Sequence, residues 1–271
     1  VNSFAAHAQA RNTTVKSGHD PIIDPKARIG NNVRIGPWTI IGPDVEIGDD
    51  CEIASHVVIK GPTRIGKRNR IFQFSSVGED PSDMKYRGEA SLLEIGDDNV
   101  IREGVTIHRG TEVGGGITRV GSRNLFLPYS HIAHDCIIGN NVIFSNNAAV
   151  SGHVTVGDWA ILGGFAGVYQ FLTIGAHSFI GAQAHVNMDV PAYMMVKGTP
   201  PAPKGINIVG LERRGFSAEA IQTLRKAYKI LYRSGNTLEE ALTELETLVE
   251  GCNEVQLLID SVRASTKGIL R

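Results

Sequence analysis

Apolar residues recur at every sixth position over most of this chain. Stepping by six from Ile23 meets Ile29, Ile35, Ile41, Ile47, Ile53, Ile59, Ile65, Ile71 and Val77. The step resumes at Ile95, Ile101 and Ile107. It resumes again at Val120, Phe126, Ile132, Ile138, Phe144, Val150, Val156, Leu162, Val168, Ile174, Ile180 and Val186. A period of six fits neither an α-helix nor a simple alternating strand. It predicts a parallel β-helix in which each hexad is a short strand plus a turn and the aliphatic residue points inward. Three hexads close one coil of about 18 residues, and about eight coils stacked at strand spacing give a prism on the order of 40 Å long. Gly often follows the inward residue, as in Ile29-Gly30 and Ile174-Gly175. Gly or Asn is expected at the turn, where other side chains are strained.

The register breaks twice. Twelve extra residues separate Val77 from Ile95, and seven extra separate Ile107 from Val120. Insertions in a solenoid loop out from one face and commonly build a binding site. After Val186 the period stops, and Pro191, Pro200, Pro201 and Pro203 predict a linker. Helices follow. Ser217 is placed to cap one that carries Ile221, Leu224, Tyr228 and Leu231 on one face and stops at Gly235. Thr237 and Glu240 form a capping-box pattern for a second, running through Leu248, and Asn253-x-x-Gln256 opens a third. The expected organisation is a flexible N-terminus (1–20), a parallel β-helix (21–190) with insertions at 78–94 and 108–119, and a linker with a small C-terminal α-helical domain (191–271).

Composition narrows the function classes. The 271 residues are 42% hydrophobic and 20% charged, enough for a buried core, and the net charge of −1 gives no basic field for nucleic acid. No apolar run reaches the roughly 18 residues of a transmembrane segment. Cys51, Cys136 and Cys252 are widely spaced and odd in number, which argues against a disulfide framework or a thiolate zinc site and for a reducing compartment. The first 19 residues include Arg11 and Lys16 but no acid, as in the tail of an organellar transit peptide. A cloned terminus would read the same way.

Candidate chemistry gathers in the middle of the repeats. With 18 residues as a ruler, His134 stacks against Gly152 and Gly152 against Gln170, while Asp135 stacks against His153. Allowing for the second insertion, His108 falls beside His134, and His131 joins the same patch. A histidine suits general-base work because its pKa lies near neutrality. Asp135 is a candidate to fix its tautomer, and the Gly152 N–H a candidate oxyanion donor. Turn histidines on a solvated surface give the bland alternative. His7, His19, His56, His177 and His185 lack such company.

The hexads resemble the hexapeptide-repeat acyltransferases, whose coils are left-handed. More closely, Val105–Thr111, His131–Cys136, Ser151–Val154, Gly210–Ser217 and the closing Ser265–Arg271 resemble the UDP-N-acetylglucosamine O-acyltransferase family, which acts at the first step of lipid A synthesis. The resemblance implies His134 as the base for the sugar 3-hydroxyl, Asp135 as its orienter and Gly152 as the oxyanion donor. It implies Asp83 and Lys85 on the sugar nucleotide, and His108, His131, His153 and Gln170 around the glucosamine and acyl groups. Asn207, Arg213 and Arg214 would bind the uridine diphosphate. Two positions depart from the bacterial pattern: Tyr169 stands where it has His and Val209 where it has Glu.

The implied partners are UDP-N-acetylglucosamine and a 3-hydroxyacyl acyl carrier protein, docked on Arg225, Lys226, Lys229 and Arg233. No cofactor and no metal is implied. The expected assembly is a homotrimer with sites at subunit boundaries, because one flat prism face has no cleft of its own. The expected location is the mitochondrion (plant type, after removal of a transit peptide) or the bacterial cytoplasm. Three other readings stay open. One is an acyltransferase with another acceptor, such as an amino sugar N-acyltransferase. Another is a zinc β-helix of γ-carbonic anhydrase type, with His131, His134 and His153 as ligands. The last is a non-catalytic organellar scaffold subunit.

Overall fold

The structure is a computed structural model that describes residues 19–271. All but the last residue of the 19-residue transit-peptide-like stretch, residues 1–18, lie outside the described residues. The chain is a left-handed parallel β-helix with C-terminal helices, and it divides into two compact units at Ile137/Ile138.

The first unit stacks short strands in three parallel columns. One runs from Ile22–Ile23 through Val58–Ile59, Ser76–Glu79 and Thr106–His108 to His131–Ile132. The second runs from Arg28–Ile29 to Ile117–Val120, and the third from Arg34–Ile35 to Leu125–Phe126. The counted insertions fall where the period breaks: Ile65 pairs with Ile95, Val77 with Ile107, and Ile107 with Ile132. Every inward position from Ile35 onward is buried, while Ile23, in the first coil, is 36% exposed. On the outside, Arg28, Glu46, Arg64, Glu94 and Arg119 alternate in sign up one column, each paired with the next. Such exposed pairs contribute little singly, but the alternation favours one vertical register.

The turns correct one expectation. A left-handed residue lies three positions after most inward residues, and it is filled by Asn32, Trp38, Asp44, Asp50 and His56 as well as by Gly104. Glycine instead follows the strand, where space is short: a Cβ on Gly36 would lie 2.5 Å from the Ser55 backbone nitrogen. The residue that needs no side chain is the one facing the next coil.

The second unit begins with short strands stacked in columns of its own, including Ala149–Val150 to His185–Val186 and Ile143–Phe144 to Phe179–Ile180. The proline-rich stretch is not a bare linker. Met194–Lys197 pairs parallel with Phe179–Ile180, and Ala202–Ile206 then pairs with it antiparallel. Pro203 is tolerated because this last strand is an edge. Four helices follow: α1 (Ile208–Arg213), α2 (Ala218–Tyr232), α3 (Leu238–Val249) and α4 (Glu254–Arg263). Ser217 caps α2, and Thr237 and Glu240 close a full capping box on α3. Asn253 makes no side-chain cap bond at α4, and α1 was not foreseen. The C-terminus returns to the edge of the coils, where Leu270 N–H donates to the Asp189 carbonyl at 2.8 Å and Ser265 Oγ to the Asp189 carboxylate at 2.6 Å.

Candidate active site

In the first unit, three histidines converge beside the two insertions. His131 lies outward on a strand, and its Nδ1 is hydrogen-bonded to Thr106 Oγ1 at 2.7 Å. His108 meets it edge to face, with ring centroids 4.9 Å apart. Burial, with His108 and His134 beside it, lowers the His131 pKa to about 4, and burial also pulls His108 below the usual histidine value. Both rings are therefore neutral at ordinary pH.

His134 sits next to them with its side chain 12% exposed, and its Nδ1 lies 2.7 Å from Asp135 Oδ2. An ionised carboxylate only accepts, so Nδ1 is the donor in this bond. Asp135 stands at the left-handed turn position, φ 60°, with its side chain 1% exposed. The Thr111 N–H donates to Oδ1 and the Thr111 hydroxyl to Oδ2, both at 2.7 Å. The Asp135 N–H donates to Thr118 Oγ1 at 2.8 Å. A base held by a buried, fully engaged carboxylate is an arrangement that can take a proton from a hydroxyl.

The first insertion folds over His108, with Ser82 Oγ 3.2 Å from His108 Nδ1. Asp83 accepts the Lys85 N–H at 2.8 Å in a local turn, which leaves the Lys85 side chain exposed. Buried Arg109 pins this loop. It donates to the Gly78 carbonyl at 2.5 Å and to Ser91 Oγ at 3.4 Å, and it pairs with Asp80.

In the second unit, Gly152 is buried and its carbonyl accepts the Phe171 N–H at 3.1 Å. His153 stacks on Phe171 with centroids 4.4 Å apart, and Gln170 is exposed. Asn207 is 4% exposed. Its Nδ2 donates to the His177 carbonyl at 2.9 Å and its Oδ1 accepts the Gly210 N–H at 3.2 Å, so its carboxamide is engaged in starting α1. Arg213, at the end of α1, is exposed. Arg214 donates to the Trp159 carbonyl at 2.8 Å, lies 3.4 Å from His177 Nδ1 and stacks over the Trp159 ring. These partners are a carbonyl and a neutral ring, so the guanidinium keeps its full charge for an anion. The two departures are both on the surface, Tyr169 at 58% and Val209 at 53% exposure.

Sequence reasoning missed Thr111, Thr118, Arg109 and His177. His177 has company after all: Trp159, Tyr193 and Phe216 surround its ring, and burial together with Arg214 lowers its pKa to about 4. The 18-residue ruler does place Trp159 under His177, so that column was readable. The threonines lie inside an aperiodic insertion, where no ruler applies.

A family model described as "Udp N-acetylglucosamine O-acyltransferase; Domain 2" matches residues 189–270, and one for bacterial transferase hexapeptide repeats matches 26–61 and 117–152. An acyl-[acyl-carrier-protein]–UDP-N-acetylglucosamine O-acyltransferase from Stutzerimonas stutzeri is 58% identical over 92% of this chain and 97% of its own length. The solved structure of LpxA from Acinetobacter baumannii aligns with a TM-score of 0.91 at 49% identity, covering 93% of this chain and 98% of that one. The solved Arabidopsis UDP-N-acetylglucosamine acyltransferase aligns at 0.81 and 34% identity, covering 93% and 98%.

Proposed function

The chain belongs to the UDP-N-acetylglucosamine O-acyltransferase family, and we propose that His134 is the general base with which it acylates the sugar 3-hydroxyl. The reaction is acyl transfer from acyl carrier protein to UDP-N-acetylglucosamine in lipid A biosynthesis. The observation that carries the assignment of the base is the 2.7 Å bond from His134 Nδ1 to a buried carboxylate. It leaves Nε2 to accept the hydroxyl proton as the sugar oxygen attacks the carbonyl of a 3-hydroxyacyl thioester. The Gly152 N–H is the proposed donor to the oxyanion. Collapse breaks the carbon–sulfur bond, and the proton on His134 passes to the departing thiolate, which regenerates the base. The products are the 3-O-acylated sugar nucleotide and the free carrier thiol.

Around this centre, neutral His108 and His131 with His153 and Gln170 form the glucosamine and acyl surroundings. Asp83 and Lys85 reach the sugar nucleotide from the first insertion. Arg213 and Arg214 take the diphosphate as charge-assisted donors. Asn207 contributes by holding the start of α1 beside them. Arg225, Lys226 and Lys229 project from α2 and Arg233 follows its end; Gln222, Thr223, Arg225, Lys226 and Lys229 line an open concavity suited to an acidic carrier protein. The working assembly is a homotrimer, and an active monomer by light scattering would overturn that.

The 58% identity to a bacterial enzyme, against 34% to the plant one, favours the bacterial cytoplasm over the mitochondrion. No helix among the described residues is long and apolar enough to cross a membrane. Incubation with UDP-N-acetylglucosamine and a panel of 3-hydroxyacyl carrier proteins, with products identified by mass, tests the whole reading. A 3-O-acyl sugar nucleotide is expected, and its absence with every donor would reject the reading.

A further inference from the structure

We propose that Thr111 is a positioning residue for the acyl transfer, holding the Asp135 carboxylate so that His134 stays in the tautomer that can act as a base. The proposal rests on the reading of His134 as that base.

Burying a carboxylate is costly unless donors meet its oxygens. Asp44 and Asp50 occupy the same left-handed turn position and avoid the cost by staying exposed. Asp135 cannot, because the second insertion covers it. Thr111 supplies both donors from a single residue: its N–H reaches Oδ1 and its hydroxyl reaches Oδ2, each at 2.7 Å. The direction of the hydroxyl is set independently. Thr111 caps a short 3-10 turn, Glu112–Gly114, and its Oγ1 accepts the Gly114 N–H at 3.2 Å, which leaves its hydrogen for the carboxylate. Thr111 is itself 4% exposed, and its branched Cβ narrows the rotamer choice.

Two further residues of the insertion complete the clamp. A Cβ on Gly114 would collide with the carboxylate, so glycine there is what lets Asp135 enter. Thr118 accepts the Asp135 N–H at 2.8 Å. The seven-residue insertion thus grips both the backbone and the side chain of the residue that orients the base. Oδ2 is shared between the Thr111 hydroxyl and His134 Nδ1, so any rotation of the carboxylate that breaks one bond breaks the other.

The test is T111V, which removes the hydroxyl but keeps the N–H and the shape. We expect kcat to fall about 10–100-fold with KM for the sugar nucleotide within about threefold, and T111S to restore kcat to within about threefold. Imidazole nitrogen NMR, assigned by difference against H134A, is expected to show Nδ1–H for His134 in the native protein and a tautomer mixture in T111V. Melting temperature is read on every variant. If T111V does not fold, T111A removes the same hydroxyl without adding a methyl and is judged on the same readings. An unchanged kcat, a change confined to KM, or an Nε2–H tautomer in the native protein would overturn the proposal. H134A separates the two claims: near-normal turnover in H134A removes the base and Thr111 with it, whereas normal T111V beside inactive H134A removes Thr111 alone.

Discussion

The proposed base, His134, lies beside two histidines that burial keeps uncharged. In the proposed reaction its Asp135 partner would stabilise the charge that His134 takes up. Replacing His134 by Ala removes this step and little else. We expect kcat to fall at least about 10²-fold, with the melting temperature within a few degrees of the parent, because a turn residue contributes little core. Near-normal turnover in that variant would remove it as the base. The arginine pair poses a different question. Losing a group that binds the diphosphate equally in ground and transition states raises KM, whereas losing one that fixes a junction lowers stability. R213A, at an exposed position, is expected to raise KM for the sugar nucleotide about 10–100-fold with little change in melting temperature. R214A is expected to do both, since its guanidinium also ties to the Trp159 carbonyl. An unchanged KM in R213A would end that assignment. Of these residues, His134 and Asp135 were legible because they sit on the periodic coil, where spacing converts to height. Thr111 and Thr118 were not, because the path of an irregular loop depends on contacts that no period encodes.

At the scale of the repeating element, identical sequence positions turn out not to be equivalent. Gly36 and Gly42 both follow an inward Ile, and nothing in the pattern separates them. In the structure, a Cβ on Gly36 would lie 2.5 Å from Ser55 N and 2.7 Å from Ala54 C, both backbone atoms that cannot yield. One on Gly42 would find its nearest atom, the Ile59 carbonyl oxygen, at an ordinary 3.5 Å. Gly36→Ala should therefore cost about 2–4 kcal/mol in denaturant unfolding, and Gly42→Ala should stay within about 0.5 kcal/mol. Equal effects would mean that the coils adjust freely in height. The helices show the same limit on reading sequence. α2 and α3 were legible because Ser217, Thr237 and Glu240 announce their starts chemically. α1 escaped notice because six residues carry too little periodicity, and its start is set by Asn207, a residue first weighed as a substrate ligand.

For the molecule as a whole, the periodic pattern made the repeating coils legible, including where both insertions enter. The closing strands lay beyond it, since Met194–Lys197 and Ala202–Ile206 follow the end of the period and lie among prolines that read as linker. The same burial that shapes the site makes stability depend on pH. His131 and His177 are each lowered to about 4, by burial first and then by the neighbouring histidines or by Arg214. In the unfolded chain both return to about 6.5. Above that pH neither state holds the protons, and the histidines have no effect. Between about 6.5 and 4 the unfolded chain binds protons that the folded chain refuses, so stability falls as pH falls; below 4 the loss is complete. Asp49, Asp98 and Glu79, whose pKa values are lowered mainly by hydrogen bonds to Lys67, Arg68 and Lys60 (for Glu79 against an opposing burial effect), extend the loss to lower pH. His177→Asn removes one of three rings whose pKa burial lowers, His108 being the third. Whatever offset the substitution introduces, the slope of stability against pH between about 6.5 and 4.5 should be shallower than the parent's. A slope identical to the parent's would show that His177 is protonated in the folded protein, and hence that the aromatic enclosure around it admits water.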